Sequence, residues 1–192
     1  MKVLLSGYNG SKSIISASAY LAIKHLKGFD IYYLNYGDFN GELFGAHYVK
    51  LKEEQKNGSL DWSNDIAEYL ETLKDKKIIF ALDDYFLEKD IDMYLYKNID
   101  PSCKTVNLCT FSENNGDMYS VTTQYTLWDV ELLIEILGEV QTPWEFEING
   151  SKYFNKLGIQ KGWCPALSYP EWSALSNRWK GVRTYGKKVK YL

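Results

Sequence analysis

The first half of the chain alternates short apolar runs with longer stretches whose apolar residues recur every three or four positions. "KVLLSGY" (2–8) reads as a buried strand and "SKSIISASAYLAIKHLK" (11–27) as a helix. "FDIYYLNYG" (29–37) and "HYVKL" (47–51) read as further strands. Over about 62–74, Ile66, Tyr69, Leu70 and Leu73 follow a 3.6-residue period that predicts a helix, with Asp61 or Ser63 available to cap its start. The strand "KKIIFAL" (76–82) comes next. Strands and helices in this order predict an α/β fold, a mostly parallel central sheet covered by helices on both faces. Ligands of such open sheets bind beyond the carboxyl ends of the strands. The "SGYNG" loop after the first strand and the Asp83–Asp84 pair after "KKIIFAL" therefore belong on one rim.

The second half is mixed. "TVNLCTF" (105–111) and "MYSVTTQYT" (118–126) read as strands paired antiparallel around "SENNGD", a small antiparallel addition to the sheet. "LWDVELLIEILGEV" reads as a helix that buries Leu132, Leu133, Ile136 and Leu137. "TPWEFEINGSKYF" opens another, with Thr142, Pro143 and Glu145 at the N-cap, N1 and N3 positions of a capping box. Past residue 158 the pattern is loop-rich. No linker or repeat divides the 192 residues, which read as one domain. Its parts are a ligand-binding half (1–100), a catalytic half (101–158) and a loop-rich basic tail (159–192).

Composition narrows the class. Hydrophobic residues at 45% and charged residues at 24% suit a globular chain. No apolar run approaches the roughly 20 residues of a membrane span, and three cysteines without a C-x-x-C spacing fit reduced thiols. A cytoplasmic setting is expected. The 16 Tyr and 6 Trp suit both an aromatic-rich core and surfaces that stack on sugars or bases. The net charge of −3 conceals a basic C-terminus: Arg178, Lys180, Arg183, Lys187, Lys188 and Lys190 fall in the last fifteen residues, which hold no acid. Without those six of the 22 basic residues, 16 face 25 acids, a body of −9 that argues against nucleic acid as a partner.

The chemistry must then come from carboxylates. The two histidines, His25 within an amphipathic helix and His47 at the start of a short strand, do not support a histidine metal centre or a Ser–His–Asp site. Neither a Walker A nor a G-x-G-x-x-G pattern occurs. Asp83 and Asp84 end an apolar run and precede Tyr85, Phe86 and Leu87. Two adjacent like charges against apolar chain require a cation or access to water, and a strand-end carboxylate pair suits Mg²⁺ or Mn²⁺ bridging to phosphates. An acidic turn after a strand is the plainer reading.

"LDWSNDIAEYLETLKDKKIIFALDDYFL", "YTLWDVELLIEIL" and "TPWEFEINGS", in that order across roughly residues 59 to 151, resemble the small GT-A-type glycosyltransferases of bacterial surface-polysaccharide synthesis and of some large viruses and phages. The resemblance implies a nucleotide-diphospho-sugar donor, a UDP-sugar in first place, and a glycan or polysaccharide acceptor. It also implies a divalent metal, Mn²⁺ or Mg²⁺, on a DxD-like motif, here Asp83 and Asp84. Which of the two meets the metal and which the donor is left open. Tyr8 and Asn9 of the first loop would hold the nucleotide base.

Inverting transfer needs a base for the acceptor hydroxyl. Glu145, Glu147 and Asp129 are the candidates. Glu145 has a capping duty and Asp129 fits an N-cap, whereas Glu147 lies about 200° further round the helix from Glu145 and owes the cap nothing. Glu147 is therefore the expected base, with Glu145 second, although both also suit a helix first turn. Trp62 on the donor side, and Trp144 and Trp128 on the acceptor side, are candidate sugar platforms with core packing as the alternative. Arg178 and Lys180 could close over the diphosphate. Two rival readings remain: a non-catalytic carbohydrate-binding or assembly protein, and a metal-dependent nucleotidyltransferase or phosphohydrolase.

Overall fold

In a computed structural model of the protein, residues 1–7, 11–109 and 120–168 are described. Seven strands form one sheet: β1 (Lys2–Ser6), β2 (Asp30–Asn35), β3 (His47–Lys50), β4 (Lys77–Leu82), β5 (Thr105–Cys109), β6 (Thr126–Asp129) and β7 (Gly162–Leu167), in the order β3-β2-β1-β4-β6-β5-β7. All neighbours pair in parallel except β6, which runs antiparallel to both β4 and β5. The expected α/β architecture, mostly parallel with a small antiparallel part, is the one observed.

The helices are α1 (Lys12–His25), α2 (Trp62–Glu71), α3 (Met93–Lys97), α4 (Val130–Gly138) and the run Pro143–Lys156, in which α5 (Pro143–Glu145) and α6 (Ser151–Lys156) flank a π-turn, Phe146–Gly150. Strands covered on both faces are apolar throughout: Val3, Leu4 and Leu5 of β1 and Ile78 to Ala81 of β4 are all fully buried. Alternate residues feed two cores. Val3, Leu5, Ile79 and Ala81 join Ile15, Ala19 and Ala22 of α1. Leu4, Ile78 and Phe80 join Trp62, Ile66 and Leu70 of α2, Leu133 and Ile136 of α4, and Phe146 and Phe154. None of the helices among the described residues is long and apolar enough to cross a membrane.

The structure corrects the pattern in three places. Of the strand expected at 118–126, residues 118 and 119 lie outside the described residues and 120–125 are not strand; β6 occupies Thr126–Asp129 instead, so Leu127 and Trp128 belong to the sheet and not to the following helix. In the segment before it, the Thr122 hydroxyl accepts from the Gln124 amide (3.2 Å), a local bond that competes with ladder pairing. Asp129 ends the strand and caps α4, accepting from the Leu132 amide at 3.2 Å. Strand β7 escaped the sequence pattern because it contains Pro165, which an edge strand tolerates. Helix α3 is too short to show a period; its start is set by Asp92, which accepts from the Tyr94 and Leu95 amides at 3.0 Å.

Candidate functional site

The strand order reverses between β1 and β4, and the carboxyl ends of these two strands lie side by side, the position at which open α/β sheets bind their ligands. Beneath this rim lies a polar network in an otherwise apolar setting. Asp83, 3% exposed, accepts through Oδ2 from the Ser11 hydroxyl at 2.6 Å. Ser11 sits at the N-cap of α1 but makes no side-chain cap; its hydroxyl turns to Asp83 and accepts from Asn35 Nδ2 of β2 at 3.1 Å. Asn35 is held in turn by the Tyr36 amide, which donates to its Oδ1 at 2.8 Å. Gly7 is required here by close approach. A Cβ on it would lie 2.2 Å from Asp83 Oδ2, 2.4 Å from Ser11 Oγ and 2.7 Å from Asn35 Nδ2.

Burial pushes the Asp83 carboxyl well above the usual carboxylate range; the Ser11 hydrogen bond pulls it down and the charge of Asp84 pushes it up again. Asp84 is half-buried at the rim. The apolar residues that follow anchor the turn: Tyr85 and Leu87 are buried against the α1-side core, and the Tyr125 hydroxyl donates to the Tyr85 carbonyl at 3.3 Å. Burial also raises the Tyr125 phenol well above its ordinary value, with the charges of Asp83 and Asp84 among the lesser contributions.

Thr123 joins this rim to the second half of the chain. Its carbonyl accepts from the Leu82 amide at the end of β4 (3.0 Å). Its own amide and hydroxyl both donate to Glu147 Oε1, at 3.1 and 2.7 Å. Glu147 rides on the π-turn, an irregularity that recurs at functional positions. Ser151 stabilises that turn: its hydroxyl donates to the Glu147 carbonyl (2.5 Å) and accepts from the Val121 amide (2.8 Å). The carboxylate named from sequence as the base is thus two short links from the Asp83–Asp84 turn.

The other candidates divide. Glu145 performs the capping duty, with Thr142 Oγ1 accepting from its amide (3.2 Å) and its own carboxylate accepting from the Gln141 amide (2.8 Å). Trp62 and Trp128 are 1% and 0% exposed, members of the α2-side core, and neither offers a ring face to a ligand. Trp62 instead donates through Nε1 to Ser6 Oγ at 2.9 Å, bracing β1 just before the site. Trp144 is 62% exposed. Tyr8, Asn9, Arg178 and Lys180 lie outside the described residues. Sequence reasoning placed Gly7 on the rim only as part of the "SGYNG" loop and missed Ser11, Asn35, Thr123 and Ser151; Asn35, a polar residue closing the strand "DIYYLN", was an available signal.

Two adjacent carboxylates are oxygen donors of the kind a hard divalent cation takes, with its remaining positions left to phosphate oxygens or water. Asp83 and Asp84 are two adjacent carboxylates whose mutual repulsion is part of what raises Asp83. Among the described residues no group of three His, Cys, Asp or Glu side chains could hold a metal by itself.

No family model and no curated protein sequence matches the chain. Solved structures do. The mannosyltransferase PcManGT from Pyrobaculum calidifontis, in complex with GDP-Man and Mn²⁺, superposes with a TM-score of 0.56 at 11% identity, covering 88% of this chain and 56% of that one. The apo-form glycosyltransferase GlyE of Streptococcus pneumoniae TIGR4 gives 0.54 at 11%, covering 98% and 50%. S. aureus TarS gives 0.55 at 12%, covering 95% and 38%. The chain spans from 38% to 56% of the length of these proteins. At such identities the likeness is one of fold, and the fold is glycosyltransferase-like.

Proposed function

We propose that the chain transfers a glycosyl group from a nucleotide-diphospho-sugar, a UDP-sugar or a GDP-sugar, to a hydroxyl of a glycan, with inversion and with Mn²⁺ or Mg²⁺ as cofactor. The observation that carries this reading is the link, at one strand-end rim, of the Asp83–Asp84 turn with the tethered Glu147. The comparison with PcManGT, itself in complex with GDP-Man and Mn²⁺, supports the donor class.

In this reading residues 1–100 receive the donor and 101–158 the acceptor. Asp83, deep in the network with Ser11 and Asn35, forms the floor under the nucleotide, and Tyr8 and Asn9 contact its base. Asp84, nearer the rim, is the principal metal ligand, with Asp83 second. The bound cation supplies Lewis-acid neutralisation of the diphosphate leaving group. Glu147 is oriented by Thr123 and takes the proton of the acceptor hydroxyl. That oxygen bonds to the anomeric carbon as the bond to the diphosphate breaks, and nucleoside diphosphate leaves. Trp144 lines the acceptor side, and Arg178 from the basic tail closes over the diphosphate.

The test is a thermal-shift panel of UDP-, GDP-, dTDP- and CMP-sugars with and without Mn²⁺. A donor at a hundredfold excess over its Kd stabilises the native state by about 2.7 kcal/mol, which for a chain of this size raises Tm by roughly 5–10 °C. One nucleotide should shift Tm only with metal, Asp84→Asn should abolish that shift, and the product should be nucleoside diphosphate. No shift across the panel, or a shift indifferent to Asp84→Asn, would overturn the assignment. Release of inorganic phosphate or pyrophosphate would favour a phosphohydrolase or nucleotidyltransferase.

A further inference from the structure

We propose that Trp163, flanked by Lys161, is a platform for a pyranose ring of the acceptor, and that the acceptor is consequently a linked oligosaccharide. The proposal rests on the glycosyl-transfer reading above and adds to it a subsite on the edge strand.

The pleat of β7 sets the direction of these side chains. Gly162 pairs with Val106, and Cys164 and Ala166 belong with Val106 to the α1-side core. Successive residues of a strand point to opposite faces, so Lys161 and Trp163 point to the other face, which carries α4 and the helical run with Glu147. Lys161 is half-buried there and interacts electrostatically with Glu147 and Cys109. Trp163 is 56% exposed, yet its indole N–H donates to the Cys109 carbonyl at 2.9 Å.

That hydrogen bond makes the ring suitable for a sugar. Indole has a single polar atom, a donor, and here the backbone engages it. What is left to solvent is a flat apolar surface of fixed orientation, so little rotamer freedom is lost when a ligand stacks on it. A pyranose has one C–H-rich face and an edge of hydroxyls. The face matches the indole, and Lys161, two residues before it in the chain, is a donor suited to the hydroxyls. The acidic body disfavours a nucleic acid.

Position sets acceptor length. Strand β7 stands three places from β4 in the sheet, about 14 Å at ordinary strand spacing. A ring on Trp163 is therefore not the one that receives the glycosyl group at the β4 end. It is a more distant unit of the same glycan.

The experiment titrates the intact protein, without donor, with methyl glycosides of glucose, galactose, mannose and N-acetylglucosamine and with di- and trisaccharides of the same sugars, by calorimetry. At least one oligosaccharide should bind, and tighter than its monosaccharide. Trp163→Ala should weaken it at least tenfold, Trp163→Tyr should retain it, and the metal-dependent donor shift should be unchanged in both. Should Trp163→Ala fail to fold, Trp163→Leu, apolar but not flat, takes its place. Absence of saccharide binding, equal binding by Trp163→Ala or Trp163→Leu, or a monosaccharide binding as tightly as its oligomer would overturn the proposal. Failure of the donor panel with saccharide binding intact would strike the transfer reading alone; the reverse pattern would strike only the platform.

Discussion

Gly7→Ala is the most searching single change in the structure, because one methyl group would enter the buried network on three sides. Its Cβ would stand 2.2 Å from Asp83 Oδ2, 2.4 Å from Ser11 Oγ and 2.7 Å from Asn35 Nδ2. All are closer than carbon and oxygen or nitrogen can rest, and all belong to buried residues. Forcing a methyl into a packed interior costs about 1–3 kcal/mol. Displacing Asp83 from Ser11 breaks a buried hydrogen bond and leaves its groups unsatisfied, at roughly 1–3 kcal/mol. Together the loss should be about 3–5 kcal/mol, a large share of the 5–15 kcal/mol of a typical domain. The midpoint of thermal unfolding should fall by roughly 10 °C. Gly138→Ala is the matched control. A Cβ there meets nothing within 4 Å, and alanine at the end of α4 should be neutral or stabilising by up to about 1 kcal/mol. Urea unfolding of both variants and of Gly7→Ala/Asp83→Ala completes the comparison. With the nearest clashing atom gone, Gly7→Ala should cost less in the Asp83→Ala background. Wild-type stability for Gly7→Ala, or strict additivity in the double variant, would refute the network as drawn.

Three further outcomes are expected. Ser151→Ala leaves the buried Val121 amide and Glu147 carbonyl without their side-chain partner, so urea unfolding should report a loss of about 2–4 kcal/mol, and transfer should fall with it. Glu147→Gln keeps an oxygen for Thr123 but removes the base. Transfer should drop by about 10²–10⁴-fold while the metal-dependent donor shift stays intact, and undiminished transfer would exclude Glu147 as base. Hydrogen bonds from His25 and Lys27 lower the Asp90 carboxyl below its ordinary 3.8. A depressed carboxylate contributes stability above 3.8 that is lost as pH falls through its folded-state value. Between pH 5 and pH 3 the urea midpoint of Asp90→Asn should accordingly fall less than that of the wild type.

The sequence by itself determined the elements whose signal is local. Short apolar runs such as "VLL" and "IIFAL", rich in β-branched residues and bounded by polar ones, suit strands buried on two faces, and the period of Ile66, Tyr69 and Leu70 suits an amphipathic helix. The capping box at Thr142–Glu145 was legible because all its partners lie within four residues. So was the rim itself, since a parallel sheet puts all its strand-end loops on one side. What only the tertiary structure decided depends on partners distant in the chain. Ser11 faces Asp83 across 72 residues, and Glu147 meets Thr123 across 24. Trp62, Trp128, Trp144 and Trp163 are the same residue type, and side-chain chemistry alone does not separate them. The first two are core and the last two exposed because sheet order and strand register, not side-chain chemistry, decide what lies opposite each ring. Strand β7, with a proline in its middle, exists because β5 offers it an edge on which the missing N–H is tolerated.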